Sequence, residues 1–478
     1  MKILLASSEA APYIKTGGLG DVAAALPKAL CNTPGTEVCI FLPYYKSIKE
    51  NPKFQLAYLT NFFIPLSWRS VYAGLFRAQS KEGGPVYYFI DNEYYFYRDN
   101  AYGYFDDGER FAFFSKAVLE ALMHLDWYPD VIHANDWQTA LIPVFLQAFY
   151  QNLPAYQSIR TLFTIHNMEY QGKAPDSFVD ECLGLPDSWK GTMQFDGCTN
   201  LMKAAILTAD RVSTVSRTYA YEIQNPYYAH GLHNILQEYS YKLSGVVNGI
   251  DTEVFNPATD PLIHANFTKK NAAKQKLANK RYLQDKLGLE RRDDVPMVAM
   301  ITRLVGHKGL DLVQAVMDDL MWDDIQLVVI GTGDQQYEDM FRWHASCHPD
   351  KMSANIVFDN QLAHQTYASA DIMLMPSKQE PCGLTQLIAM RYGTVPVVRE
   401  TGGLFDTVPA YNPETQEGRG FTFKTYNAHD MLDAIRRAAT LYHDTKAWNT
   451  LRGIDMDYDS SWAHSVEEYW QIYRSMVD

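Results

Sequence analysis

Short, fully apolar runs separated by helical stretches recur along this 478-residue chain, and the alternation starts afresh near residue 296. The first run, Lys2 to Ser7, is continuous in the way a strand buried on both faces requires. A Gly-rich turn follows at Thr16 to Gly20, and a helix is predicted from Asp21 through Leu30. Further strand-like runs lie at Val38 to Leu42, Val86 to Ile90, Val131 to His133 and Thr161 to Ile165, with helical stretches such as Phe111 to Leu125 between several of them. Buried strands alternating with helices predict a parallel sheet with crossovers. The second series comprises Pro296 to Thr302, a helix over Leu310 to Leu320, and strands at Gln326 to Ile330, Ile372 to Met375 and Val395 to Val398.

Two successive doubly wound sheets are the simplest account, because a single core stops growing at about 250–300 residues. The punctuated stretch Gly245 to Pro257 marks the junction, so the expected division is 1–245, a hinge at 246–257, then 258–457, with 458–478 as a terminal helix. The Lys-rich stretch Thr268 to Lys286 reads as an exposed helix. In the terminal segment Trp462, Val466, Tyr469, Trp470, Tyr473 and Val477 recur at helical spacing, an amphipathic stripe that must be buried. In such sheets ligands bind outside the carboxyl ends of the strands.

Composition narrows the class of ligand. With 42 Lys and Arg against 56 Asp and Glu the net charge is −14, which repels nucleic acid and anionic membranes alike. An anionic substrate must therefore meet a local cluster of cations. The 6 cysteines are scattered with no C-x-x-C pair, which predicts neither a zinc site nor a disulfide framework and fits a reducing compartment. The apolar start ends at Ala6 with Glu9 close behind, too short for a signal peptide. No run approaches the ~20 apolar residues of a bilayer span. A cytoplasmic location is expected.

The strand ends carry the candidate chemistry. Lys15-Thr16-Gly17-Gly18-Leu19-Gly20-Asp21 offers a cation, close backbone approach at Gly18 and a carboxylate at a helix start, although a plain strand-to-helix turn has the same residues. After Pro296 to Thr302 come Arg303 and Lys308, five residues apart, which suit a diphosphate. Glu380 stands just before a helix predicted over Gln386 to Tyr392, with free amides expected after Gly383. Cys382 has no histidine partner nearby and reads as a small buried filler. His133-Ala134-Asn135-Asp136-Trp137 and Thr164-Ile165-His166-Asn167 end two strands of the first half, and together they suit recognition of sugar hydroxyls. Asn248 lies at the junction. Thr401-Gly402-Gly403-Leu404-Phe405-Asp406 echoes Thr16 to Asp21 as a second close-approach loop. The segment Tyr87 to Phe114 is dense in aromatics and carboxylates; packing accounts for most of these rings, and an acceptor platform for sugar chains is the other reading.

In order along the chain, KTGGLGD, HANDWQT, TIHNMEYQG, SGVVNGID, ITRLVGHKG, EPCGLTQL and RETGGL resemble the bacterial glycogen synthase and starch synthase family over essentially the whole length. The resemblance implies two facing Rossmann-like domains of the GT-B type, an interdomain cleft, and a C-terminal helix crossing back to the first domain. It implies an acceptor-side first domain and a second that binds the nucleotide sugar. Lys15, Arg303 and Lys308 would bind the donor diphosphate, assisted by amides near Gly18 and at Gly383, Leu384 and Thr385. Glu380 and Asn248 would hold the donor glucose, and His166 would lie beside its anomeric centre and 6-hydroxyl. Asp21 and Asp136 would meet sugar hydroxyls near the acceptor. Many related retaining transferases carry a second Glu eight positions on; here that position is Ile388, so no second carboxylate is assigned.

The expected activity is transfer of glucose from ADP-glucose to an α-1,4-glucan such as glycogen with retention of configuration, without cofactor or metal. ADP as the nucleotide rests on the resemblance alone. The expected mechanism is front-face substitution through an oxocarbenium-like transition state, with His166, Glu380, Arg303 and Lys308 as the catalytic set. A nucleotide-sugar epimerase and a silent glucan-binding protein are the competing readings.

Overall fold

The computed structural model describes residues 1–78 and 83–477, which divide into two compact units, Met1–Asn248 with the terminal helix from Trp462, and Gly249–Ser461. The chain changes unit after Asn248 and again after Ser461, and the sequence-expected terminal segment ends at Asp478, outside the described residues.

The first unit is built on a nine-stranded sheet, in the order Leu243–Gly245, Arg211–Thr214, Arg160–Ile165, Val131–Asn135, Lys2–Ala6, Glu37–Pro43, Val86–Asp91, Arg69–Ala78, Leu56–Leu66. Neighbours are parallel from the first of these strands through Val86–Asp91. The last two are antiparallel, a hairpin closed at Ser67 and Trp68 that the reading of a purely parallel sheet omits. Its solvent-facing positions carry Tyr58, Phe63 and Tyr72, so the alternation of polar and apolar residues that marks a half-exposed strand is blurred. The central strands are buried end to end, Ile3 to Ala6 and Val131 to Asn135 among them, as crossover helices on both faces require.

Helix Asp107–Leu125 buries Phe111, Phe113 and Phe114, while Tyr94, Tyr97 and Phe105 of the aromatic segment stay exposed. The terminal helix Trp462–Val477 packs on the first unit through Trp462, Tyr469 and Tyr473, with Val466 and Trp470 partly buried. Val477, expected in the stripe, is exposed because it lies in the last turn.

The second unit carries a six-stranded parallel sheet in the order Met352–Asn355, Gln326–Ile330, Met297–Ile301, Ile372–Met375, Val395–Arg399, Phe421–Phe423. The helix expected over Leu310 to Leu320 is broken at Val316 into Leu310–Ala315 and Met317–Trp322. The Lys-rich helix is also corrected: Ala272–Leu287 is not simply exposed, since Ala272, Lys276, Asn279, Lys280, Leu283 and Gln284 are buried. Lys276 donates to the carbonyls of Tyr367, Ala368 and Tyr392 and to the Thr394 hydroxyl, and Lys280 pairs with Asp371 at 2.8 Å. A buried ammonium is tolerated when its donors are saturated in this way, and charge alone does not reveal that a lysine has found such a site.

Candidate active site

In the first unit the functional groups gather at the carboxyl ends of the central strands. Strand Lys2–Ala6 runs into Glu9 and then the loop before helix Gly18–Leu30. Lys15 and Asp21 meet at 2.8 Å, each more than a third open to solvent. Burial raises the Asp21 carboxyl, and the Lys15 ammonium works against that rise. The helix begins at Gly18 without a side-chain cap, so its first amides have no intrahelical partner.

Asp136 follows strand Val131–Asn135 at φ 58 and ψ 179, a conformation that costs a non-glycine residue about 1–3 kcal/mol and that clusters at functional sites. Its carboxylate accepts from the His166 amide at 2.7 Å and from the Asn167 amide. Burial pushes this carboxyl up to about 7, with the Glu9 charge contributing to the rise. Asp136 and His166, expected near one another from two strand ends, are thus brought together through backbone.

The His166 ring is oriented by Asn135. Asn135 donates its amide hydrogens to the carbonyls of Ala6 and His133, at 3.1 and 3.2 Å, which leaves Oδ1 facing His166 Nε2 at 2.9 Å. Nε2 therefore carries the hydrogen and Nδ1 keeps its lone pair, a tautomer assigned from the network. Burial depresses the imidazole to about 4, so it is neutral at physiological pH. His133, by contrast, is a structural histidine, bonded to the Tyr473 hydroxyl of the terminal helix at 2.8 Å and to Thr164. Asn248 is buried with an Oδ1 that makes no hydrogen bond among the described residues, an acceptor whose burial is costly until a donor arrives.

In the second unit a small recess opens at the carboxyl end of the sheet, lined by Thr302, Lys308, Ser377, Glu380, Gly383 and Thr385 among others. Lys308 Nζ bonds both carboxylate oxygens of Glu380, at 2.9 and 2.7 Å, and the Ser377 hydroxyl donates to the same group at 2.8 Å. Burial alone would raise the Glu380 carboxyl; the Lys308 ammonium and these hydrogen bonds outweigh it and hold it below the usual carboxylate range. Arg303 is exposed, and its guanidinium makes no hydrogen bond or ion pair among the described residues. The two cations expected to share one task thus differ: Lys308 is paired with a carboxylate, and Arg303 is unpaired among the described residues.

Gly383 has φ +73, a conformation that favours glycine, at the turn into helix Thr385–Arg391. The second TGGL sequence backs this loop: the Gly403 amide donates to the Glu380 carbonyl at 3.1 Å, and a Cβ on Gly402 would meet that oxygen at 2.0 Å. Its close approach is to the Glu380 loop itself. Cys382 is buried, as a small filler would be. Phe358, 84% exposed beyond the end of edge strand Met352–Asn355, escaped the sequence reading because a single aromatic in a polar stretch carries no periodic signal. Among the described residues no group of three or more His, Cys, Asp or Glu is arranged to hold a metal ion, and no helix is long and apolar enough to cross a membrane.

The starch synthase catalytic domain model matches residues 2–238 and the glycosyl transferases group 1 model matches residues 284–450. The chain is 49% identical to a glycogen synthase of Clostridium acetobutylicum and 46% identical to one of Bacillus cereus, each over 100% of both chains. Among solved structures it superposes on the catalytic domain of starch synthase IV from Arabidopsis thaliana bound to ADP and acarbose, with TM-score 0.91, 35% identity and coverage of 100% of this chain and 99% of that one. A sucrose-phosphate synthase from Thermosynechococcus elongatus, 17% identical with TM-score 0.63 over 99% and 98% of the two chains, shares the fold. The two doubly wound α/β units are therefore those of a GT-B glycosyltransferase, and the chain belongs to the glycogen and starch synthase family.

Proposed function

We propose that this protein transfers glucose from ADP-glucose to the non-reducing end of an α-1,4-glucan, with retention of configuration, in glycogen synthesis. The observation that carries the reading is the recess of the second unit, where the Lys308–Glu380 pair adjoins the Gly383 to Thr385 turn; Arg303 follows the lining residue Thr302 in the chain and is exposed and unpaired among the described residues. A diphosphate fits that donor set. Phe358, exposed beyond the end of strand Met352–Asn355 in the same unit, offers a stacking face for the base. Lys15 and the amides from Gly18 give the first unit a second anion-binding element; Asn248 and Glu380 accept from glucose hydroxyls, and Asp21 and Asp136 from hydroxyls on the acceptor side.

In the step itself the C1–O bond to the β-phosphate breaks as the acceptor 4-hydroxyl oxygen bonds C1 on the same face. The hydroxyl proton passes to the departing phosphate oxygen. Arg303 and Lys308 stabilise the charge that grows on the leaving group, an electrostatic contribution typically of several kcal/mol when water is excluded. Neutral His166, with its Nδ1 lone pair free, accepts a hydrogen bond from the sugar without adding positive charge beside the oxocarbenium-like centre.

Incorporation of labelled glucose into glycogen, compared for ADP-glucose and UDP-glucose with and without primer, tests the reading. Primer-dependent incorporation from ADP-glucose is expected. Conversion of the donor sugar without glucan growth would identify an epimerase instead, and glucan binding without turnover a silent binding protein.

A further inference from the structure

Glu9 has no role in the scheme above, yet it holds the Lys15 loop. It is 3% exposed. One carboxylate oxygen accepts from the amides of Thr16 and Gly17, and the other from the Thr16 hydroxyl and the Tyr102 hydroxyl, each at 2.7 Å. The loop leaves Ile14, which is bridged to Ala10, and returns at Gly20, whose carbonyl accepts from the Ala11 amide at 2.9 Å. Between those ties it contains Gly17 and Gly18, two residues with little conformational preference of their own. Glu9 thus occupies the amides that precede helix Gly18–Leu30 and leaves those from Gly18 onward for an external anion.

We propose that Glu9 is a positioning residue for the donor: it freezes Thr16 and Gly17 from beneath, so that Lys15 and the start of the helix are presented to the pyrophosphate in one arrangement. The inference rests on the nucleotide-sugar reading given above. Without the clamp the two residues must be ordered at the moment of binding, which lowers donor affinity by roughly 10–100-fold. A glutamine can replace the carboxylate in this geometry. Its carbonyl oxygen accepts from both amides, and its NH2 donates to the Thr16 and Tyr102 oxygens.

The test compares Glu9→Ala and Glu9→Gln in the full chain. For Glu9→Ala the donor KM rises about 10-fold or more while the glucan KM stays within about twofold; for Glu9→Gln both stay within about threefold of the parent. Titration calorimetry with ADP alone follows the same order and needs no turnover. Parallel rises in both KM values with a lowered melting temperature would show a merely structural residue and overturn the proposal, as would a Glu9→Gln variant as impaired as Glu9→Ala. A parent chain that binds ADP but transfers no glucose sinks the functional reading instead, and the ADP titrations still judge Glu9.

Discussion

Replacing Lys308 by Met removes the ammonium that bonds both oxygens of the buried Glu380 carboxylate and leaves it the Ser377 hydroxyl and the weaker field of His307, and the consequence is calculable. In the parent the carboxyl is held below its ordinary 4.5, so it contributes stability above that pH, lost as the pH falls through the depressed value. In Lys308→Met burial dominates, the folded-state value moves above 4.5, and the contribution becomes a penalty that grows as the pH rises. The carboxylate escapes by taking up a proton, which caps the penalty at about 1.36 kcal/mol for each unit of pH above 4.5. The ceiling is about 0.7 kcal/mol at pH 5 and about 3.4 kcal/mol at pH 7. A domain of 150–250 residues shifts its melting temperature by about 2–4 °C per kcal/mol, so the pH 7 ceiling corresponds to roughly 7–14 °C in the endotherm of the second unit. Scanning calorimetry of the parent, Lys308→Met and Lys308→Met with Glu380→Gln at both pH values measures this. The double variant should regain most of the lost stability at pH 7 while remaining inactive. A deficit of equal size at the two pH values, or one that Glu380→Gln leaves untouched, would refute the account of the pair.

Other expectations follow from neighbouring groups. Arg303→Ala should leave the melting temperature unchanged, because the side chain is exposed and unpaired, yet lower kcat by about 100-fold or more with glucan affinity retained; steady-state kinetics beside glucan binding checks both. Asp136 changes charge near pH 7, ionised above and neutral below, so Asp136→Asn should remove any inflection near pH 7 from the profile of kcat/KM. Tyr473→Phe deletes the hydroxyl that meets His133 and should cost about 1 kcal/mol in chemical denaturation, with kcat unaffected. Lys276→Met removes the lysine donor from the Ala368 and Tyr392 carbonyls in the core of the second unit, while the Tyr367 carbonyl keeps the Thr394 hydroxyl, and should destabilise the unit by roughly 1–3 kcal/mol, read by the same method.

Much of the fold could be read from runs such as Lys2 to Ala6 and Met297 to Ile301, since a strand covered on both faces must be apolar throughout. The hairpin Leu56–Leu66 with Arg69–Ala78 was illegible because aromatics occupy its solvent face. At the site, glycines and charges beside strand ends marked the loops of Lys15, Arg303 and Glu380, but not what each side chain touches. That Lys308 neutralises Glu380, that Asn135 fixes the His166 tautomer, and that Glu9 sits beneath the Gly-rich loop are facts of three-dimensional proximity between residues 7 to 72 positions apart. No local pattern encodes them. Nor does a Lys-rich sequence announce that two of its lysines, Lys276 and Lys280, are buried.

The interleaved course of the chain also bears on how it is made. Because the first unit borrows its last helix from beyond Ser461, a ribosome that has emitted residues 1–248 has released an assembly whose seat for Trp462, Tyr469 and Tyr473 is still vacant. Synthesis order and completion order are then reversed: the unit translated first is the last to be finished. Nascent chains halted before Trp462 should accordingly expose apolar surface from the amino-terminal unit while Gly249–Ser461 already resists proteolysis.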